Sequence, residues 1–155
     1  MKQSTEQIIR CMDEYAYPEY RDNIVLKKGV FEYLSDLKNK NCSLNVLTAI
    51  PHKMLDPCLK RNGIYDFFEN VWSCDDFGLT KADVQIYKEA LKLPGAKAEE
   101  TVFFDDNIGA VQTAKQAGLY TVAVYDESAK RFSEKLKKIA DAYIISFDEL
   151  NQSKE

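Results

Sequence analysis

The sequence predicts an α/β protein in which a doubly wound parallel sheet lies between two layers of helices. Short apolar runs of strand length alternate with amphipathic helical patterns from Gly29 to Leu150. Such alternation builds βα units and places helices on both faces of the sheet. The 155 residues suit one domain, and 45% hydrophobic with 12% aromatic content is enough to fill a core. Polar residues with chemical potential stand just after the predicted strands, at the edge where open parallel sheets bind ligands.

The elements follow in order. Residues 4–15 read as a helix, with Ser4 as N-cap and Ile8, Ile9, Met12 and Tyr15 at helical spacing. Pro18 is expected to close it, leaving Tyr17 to Lys28 irregular. Val30, Phe31, Leu34 and Leu37 then predict an amphipathic helix, and Leu44 to Thr48 a short strand. Pro51 to Asn62 reads as a helix, with proline suited to its first turn and Gly63 to its C′ position. Val71-Trp72-Ser73 is a second strand, and Asp83 to Leu93 a helix that stops before Pro94-Gly95. Thr101 to Phe104, Thr121 to Tyr125 and Tyr143 to Ile145 are three further strands. Helices are expected over Ile108–Gln116 and Ala129–Ile139, with a helical turn around Phe147 and Leu150.

Composition excludes several classes. A net charge of −4 argues against a nucleic-acid binder, which needs a basic face. The lysines of 130–138 alternate with Ser133 and Glu134, as on a solvated helix face. Cys11, Cys42, Cys58 and Cys74 form no C-x-x-C pair, so neither a zinc site nor a disulfide framework is indicated. Reduced thiols and the lack of a long apolar run or leader pattern point to a soluble, cytoplasmic protein without membrane contact.

The chemistry concentrates in four residues. Asp105 and Asp106 follow the apolar run Thr101-Val102-Phe103-Phe104, where a strand meets a helix. Two adjacent carboxylates suit Mg²⁺, a hard cation that takes carboxylates, waters and substrate phosphates. Thr48 ends the first strand and Lys81 lies beyond the second, so parallel strands gather a hydroxyl, an ammonium and two carboxylates at one sheet edge. Asn107 either orients the metal shell or caps the next helix. Each residue alone has a plainer reading: Thr48 as a cap, Lys81 as a solvated lysine, one aspartate as an N-cap. One cap accounts for one aspartate, so the pair carries the argument. His52, the only histidine, reads as a helix-start surface residue or as an acid/base group. Trp72, Tyr65, Tyr87 and Tyr143 read as core packing.

This arrangement resembles the haloacid dehalogenase superfamily of phosphohydrolases. The likeness runs from Lys28 to Leu150 and rests on Lys28-Gly29-Val30-Phe31, Val46-Leu47-Thr48-Ala49, Gly78-Leu79-Thr80-Lys81 with Ile86-Tyr87, and Phe103-Phe104-Asp105-Asp106-Asn107-Ile108-Gly109-Ala110. Val124-Tyr125-Asp126-Glu127-Ser128 and the segment 140–150 are similar to its β-phosphoglucomutase-like branch. The resemblance implies a Rossmann-like core over 26–151, a remnant of a helical cap and linker over 1–25, and a tail over 152–155. It implies that Thr48 binds the transferring phosphoryl group, supported by Ala49, that Lys81 stabilises its charge, and that Asp105 and Asp106 hold Mg²⁺, with Asn107 in support. The substrate class it implies is a small phosphomonoester such as a sugar phosphate.

Two departures from the family pattern matter. Ala82 stands where a proline usually follows the lysine. The Asp-x-Asp-x-Thr motif that supplies the nucleophile has no match before Thr48. In the family that motif ends a strand lying between the Thr48 strand and the Asp105 strand. Its absence predicts a core incomplete at its central strand, with two open edges about 9.6 Å apart, twice the ~4.8 Å pairing distance. The chain is therefore expected to begin inside a longer protein, to be inactive alone, and to pair with an N-terminal fragment or a second copy that completes the sheet. The competing reading is a non-catalytic relative that binds a phosphorylated ligand or a partner chain. A receiver domain uses similar groups, but its acidic pair comes first, and here threonine and lysine precede it.

Overall fold

A computed structural model describes residues 3–151, and its elements run α1 (Thr5–Cys11), α2 (Tyr17–Asp22), α3 (Val30–Asn39), β1 (Asn45–Thr48), α4 (His52–Arg61), β2 (Asn70–Ser73), α5 (Val84–Lys92), β3 (Val102–Asp105), α6 (Ile108–Gln116), β4 (Tyr120–Val124), α7 (Ser133–Ile139), β5 (Ala142–Ile144) and α8 (Asp148–Asn151). Every strand pairing is parallel, and the strands form two sheets, β1-β2 and β3-β4-β5. Thr48 pairs with Ser73 and Asp105 with Ala123, so the carboxyl ends lie level within each sheet.

Alternation along the strands builds the layers. Phe103 points to one face, into a cluster with Ile86 and Tyr87 of α5 and Ala114 of α6 that also receives Leu47 of β1. Ala123 continues that face against Val111 of α6 and Leu136 of α7. Phe104, Val122, Val124 and Ile144 point the other way, toward Phe147 and Leu150, and the Tyr33 ring of α3 lies 5.9 Å from Phe104 and 5.8 Å from Phe147. Helices thus cover both faces, as the doubly wound reading requires. Leu47 and Phe103 share one cluster, yet among the described residues no strand pairing joins β1 to β3. Each of these strands keeps one edge unpaired, as the incomplete-core reading expects.

Gly29 permits the entry to α3. Its φ of +82° is left-handed, and a Cβ there would meet the Asp148 backbone nitrogen at 2.5 Å. Only glycine allows this approach of the α3 start to α8.

Two local expectations are corrected. Pro18 does not end the first helix, because a wide turn over Met12–Ala16 separates α1 from α2 and puts Pro18 in the first turn of α2, where no N–H is needed. The segment Tyr17–Asp22 is therefore helical and packs beside α4, with Arg61 donating from Nε to the Arg21 carbonyl at 2.6 Å. The helix expected from Ala129 starts instead at Ser133, after a tighter helical stretch over Glu127–Phe132 that the Asp126 side chain caps through the Ser128 N–H at 2.9 Å. Ser4 caps α1 as expected, in a reciprocal box with Gln7. All four cysteines are free. No helix among the described residues is long and apolar enough to cross a membrane. The 152–155 tail lies outside the described residues.

Candidate functional site

Lys81 and Asp105 form the centre of the site. Beyond β2, the Ser73 hydroxyl accepts the Asp75 N–H and the Asp76 carboxylate accepts the Ser73 N–H, so a tight turn forms at once. Gly78, at φ +62°, then redirects the chain. The loop carries Lys81 back over the sheet edge, where Nζ lies 2.5 Å from Asp105 Oδ2. The two side chains are 21% and 8% exposed, so this is a largely desolvated pair rather than a surface contact.

The acidic pair sits where β3 gives way to α6. Asp105 Oδ1 accepts the Asn107 N–H at 2.8 Å, and the Asn107 side chain accepts the Ala110 N–H at 3.0 Å as the N-cap of α6. Asn107 thus caps α6. Asp106 is half-buried, and burial first, then the Asp105 carboxylate, push its carboxyl above the usual range. A cation at this position relieves both effects. Asp126, two residues beyond β4, adds further negative charge toward Asp106. Lys27 bonds Asp126 at 2.5 Å and, with the Ser128 groups, holds that carboxyl down at about 2.

Thr48 ends β1 beside Ser73, the residue that caps the turn toward Lys81. Its hydroxyl oxygen accepts the Ile50 N–H at 3.2 Å, so it turns the local chain without capping α4, whose N-cap is Pro51. Among the described residues its hydroxyl hydrogen meets no acceptor and so can turn to a ligand oxygen. Ala49 lies exposed in the bend that follows. The structure therefore joins Lys81, Asp105, Asp106 and Asn107 directly. Thr48 and Ala49 lie across the unpaired edge, with no hydrogen bond to that group among the described residues.

Sequence reasoning took Tyr87 as packing, and it is buried with its ring edge-on to Phe103 at 5.3 Å. It is also a tie. Its hydroxyl lies 2.8 Å from the Lys81 carbonyl oxygen and 3.1 Å from that of Ala110. One O–H shared between these two oxygens couples the lysine loop to the first turn of α6. A tyrosine six residues after a loop lysine carries no pattern that announces this role. Trp72 meets Phe77 at 5.8 Å, as packing requires.

Among the described residues no group of three or more His, Cys, Asp or Glu side chains gathers that could enclose a metal ion. Mg²⁺ asks for less, because it commonly takes one or two carboxylates and fills its octahedron with waters and phosphate oxygens. Asp105 and Asp106 fit that partial shell. A cleft of about 240 Å³ opens beside them, lined by Asp106, Asn107, Ser128 and Arg131 among others.

Comparison with known proteins shows the family and the fold. The profile of the haloacid dehalogenase-like hydrolase family matches residues 1–124. The glyceraldehyde 3-phosphate phosphatase of Methanocaldococcus jannaschii is 33% identical over 119 residues, which is 76% of this chain and 51% of that protein. The chain spans about half the length of the curated relatives it matches. Among solved structures, the β-phosphoglucomutase of Clostridium difficile superposes with a TM-score of 0.74 at 19% identity, over 95% of this chain and 64% of that one. YfnB of Bacillus subtilis, bound to magnesium, superposes with a TM-score of 0.70 at 22% identity, over 82% of this chain and 54% of that one. With the family profile matched over residues 1–124 and a relative one-third identical over 76% of the chain, the chain belongs to the haloacid dehalogenase-like hydrolase family.

Proposed function

We propose that this chain carries the metal and phosphate contacts of a Mg²⁺-dependent phosphohydrolase or phosphomutase that acts on a small phosphomonoester such as a sugar phosphate. The observation that carries the reading is the desolvated Lys81–Asp105 pair beside the raised Asp106, at the carboxyl end of a strand whose other edge is unpaired. Asp105 and Asp106 would hold Mg²⁺, which when bound offsets the negative charge of a phosphoryl group. Lys81 then has two partners, Asp105 in the free protein and a phosphate oxygen in the complex. Its ammonium has three hydrogens and can serve both. The Thr48 hydroxyl donates to another phosphoryl oxygen from across the edge. Arg131, on the cleft beside Asp106, faces the rest of the substrate.

The nucleophile belongs to a parallel strand seated between β1 and β3. A segment that carries the Asp-x-Asp motif supplies that strand, because a second copy of this chain lacks the motif as well. An aspartate at its carboxyl end attacks phosphorus, the alcohol leaves, and water or a second hydroxyl resolves the aspartyl-phosphate. Glyceraldehyde 3-phosphate phosphatase, the activity of one relative, supports a phosphate ester as substrate class.

Calorimetric titration of the chain with Mg²⁺ and then inorganic phosphate tests the contacts directly. Binding that weakens in K81A and D106N supports the reading. Unaltered binding in both variants refutes it. Binding that persists without turnover, even when the missing strand is supplied, favours the non-catalytic reading instead.

A further inference from the structure

His52 is the only histidine in the chain and opens α4, four residues after Thr48. Its two ring nitrogens meet carboxylates of different segments. Nδ1 lies 2.8 Å from Asp56 Oδ1 on the next turn of α4, and Nε2 lies 2.7 Å from Asp76 Oδ2 in the turn after β2. Asp76 is itself fixed, because the same Oδ2 accepts the Ser73 N–H at 2.9 Å. Gly78 turns the chain just beyond Asp76, and Lys81 follows. One imidazole therefore ties the segment leaving Thr48 to the segment leading into Lys81.

The tie depends on protonation. A neutral imidazole has one N–H and can donate to one carboxylate, whereas the imidazolium donates to both. Asp56 from α4 and Asp76 from the β2–α5 loop are the charged groups that face the ring. Lys53, next along α4, is engaged by Asp13, and Asp75 is exposed. Asp56 first, and then Asp76, raise the ring above the usual histidine value.

We propose that His52 is a positioning residue: as imidazolium it latches the β1–α4 bend to the β2–α5 loop and so fixes Thr48 relative to Lys81. This rests on the reading of Thr48 and Lys81 as phosphate contacts, while the latch itself can be observed without phosphate. Because the folded ring binds its proton more tightly than the unfolded one, the latch is complete below the unfolded value. It is lost as pH rises through the folded one.

NMR of the full chain tests this, since one imidazole gives one unambiguous titration. The amide signals of Thr48, Ile50, Gly78 and Lys81 are expected to titrate with the midpoint of the His52 ring, and to lose that step in both H52Q and D76N. Inorganic phosphate in the presence of Mg²⁺ is expected to bind H52Q about threefold more weakly at about pH 6, the size of one part-exposed ion pair, and equally well at about pH 9. Amides of Thr48 and Lys81 that stay still while the ring titrates would overturn the latch, as would the same amide step in H52Q. A K81A variant that binds phosphate as well as the native chain would sink the phosphate reading instead, with the amide titration still deciding the latch.

Discussion

Lys81 Nζ lies 2.5 Å from Asp105 Oδ2 and links the loop leaving one sheet to the strand end of the other, although no strand pairing joins the two sheets among the described residues. A side-chain pair here does what a ladder of backbone bonds does elsewhere in the fold. Tyr87 reinforces it from beneath through the Lys81 carbonyl.

Lys81→Met should therefore cost stability as well as ligand binding. It leaves the Asp105 carboxylate, 8% exposed, without its cation. Loss of one partner from such a pair destabilises by about 3 kcal/mol. Urea denaturation measures the loss, and the double variant K81M/D105N should recover most of it, because no charge is then left unpaired.

Asp106→Asn should act in the opposite direction on stability. The Asp106 carboxyl is raised by burial and by Asp105, so its ionised form disfavours the fold above the unfolded carboxyl range. The neutral amide removes that penalty and raises the denaturation midpoint at neutral pH in the absence of Mg²⁺. Mg²⁺ titration of the same variant should show weakened binding, the trade between stability and function expected at a charged site.

Asp141 supplies a pH-dependent anchor away from the site. Its carboxylate accepts from Lys115 Nζ at 2.7 Å and from the Thr121 N–H and hydroxyl at 2.8 and 3.0 Å, tying α6 to the start of β4 and β5. Lys115 first, and then the Thr121 N–H, hold its folded pKa at about 2. A depressed carboxyl contributes stability above its unfolded value, near ~3.9, and loses it as pH falls toward the folded one. Asp141→Asn should cost about 1 kcal/mol at neutral pH, discounted for its partial exposure. Acid unfolding curves of the two proteins should converge below about pH 2.

Two glycines separate strain from crowding. Gly29→Ala adds a Cβ at 2.5 Å from the Asp148 nitrogen, at φ +82°. It should cost more than the ~1–2 kcal/mol that left-handed backbone alone costs an L residue. Gly78→Ala, at φ +62° with nothing within 4 Å of the added carbon, should cost only that backbone amount, about 1 kcal/mol. Thermal unfolding of both variants gives the comparison.

Legibility in the sequence followed the range of the interactions. Asp105 and Asp106 were readable because a strand of apolar residues ends in two acids, and a cap needs one. Ser4 as an N-cap, and Gly63 after its helix, were readable because each signal lies within a turn of its effect. Pro18 misled because the wide turn at Met12–Ala16 absorbs what a proline otherwise breaks. The His52–Asp76 contact spans 24 positions, and the Tyr87 hydroxyl serves two carbonyls brought together only by folding, so neither had a local signature. The unpaired edges of β1 and β3 were foreseen from a motif that the sequence lacks.

The central claim is that the residues present form the metal and phosphate half of a site whose nucleophile enters on a strand between β1 and β3. The most direct measurement is Mg²⁺-dependent release of phosphate from p-nitrophenyl phosphate, by the chain alone and then with an added peptide whose apolar strand ends in Asp-x-Asp. The account predicts no release by the chain alone, release when the peptide is present, and its loss in the Lys81→Ala variant. Vigorous turnover by the chain alone, or a peptide that pairs with the sheet edges and restores nothing, would contradict it.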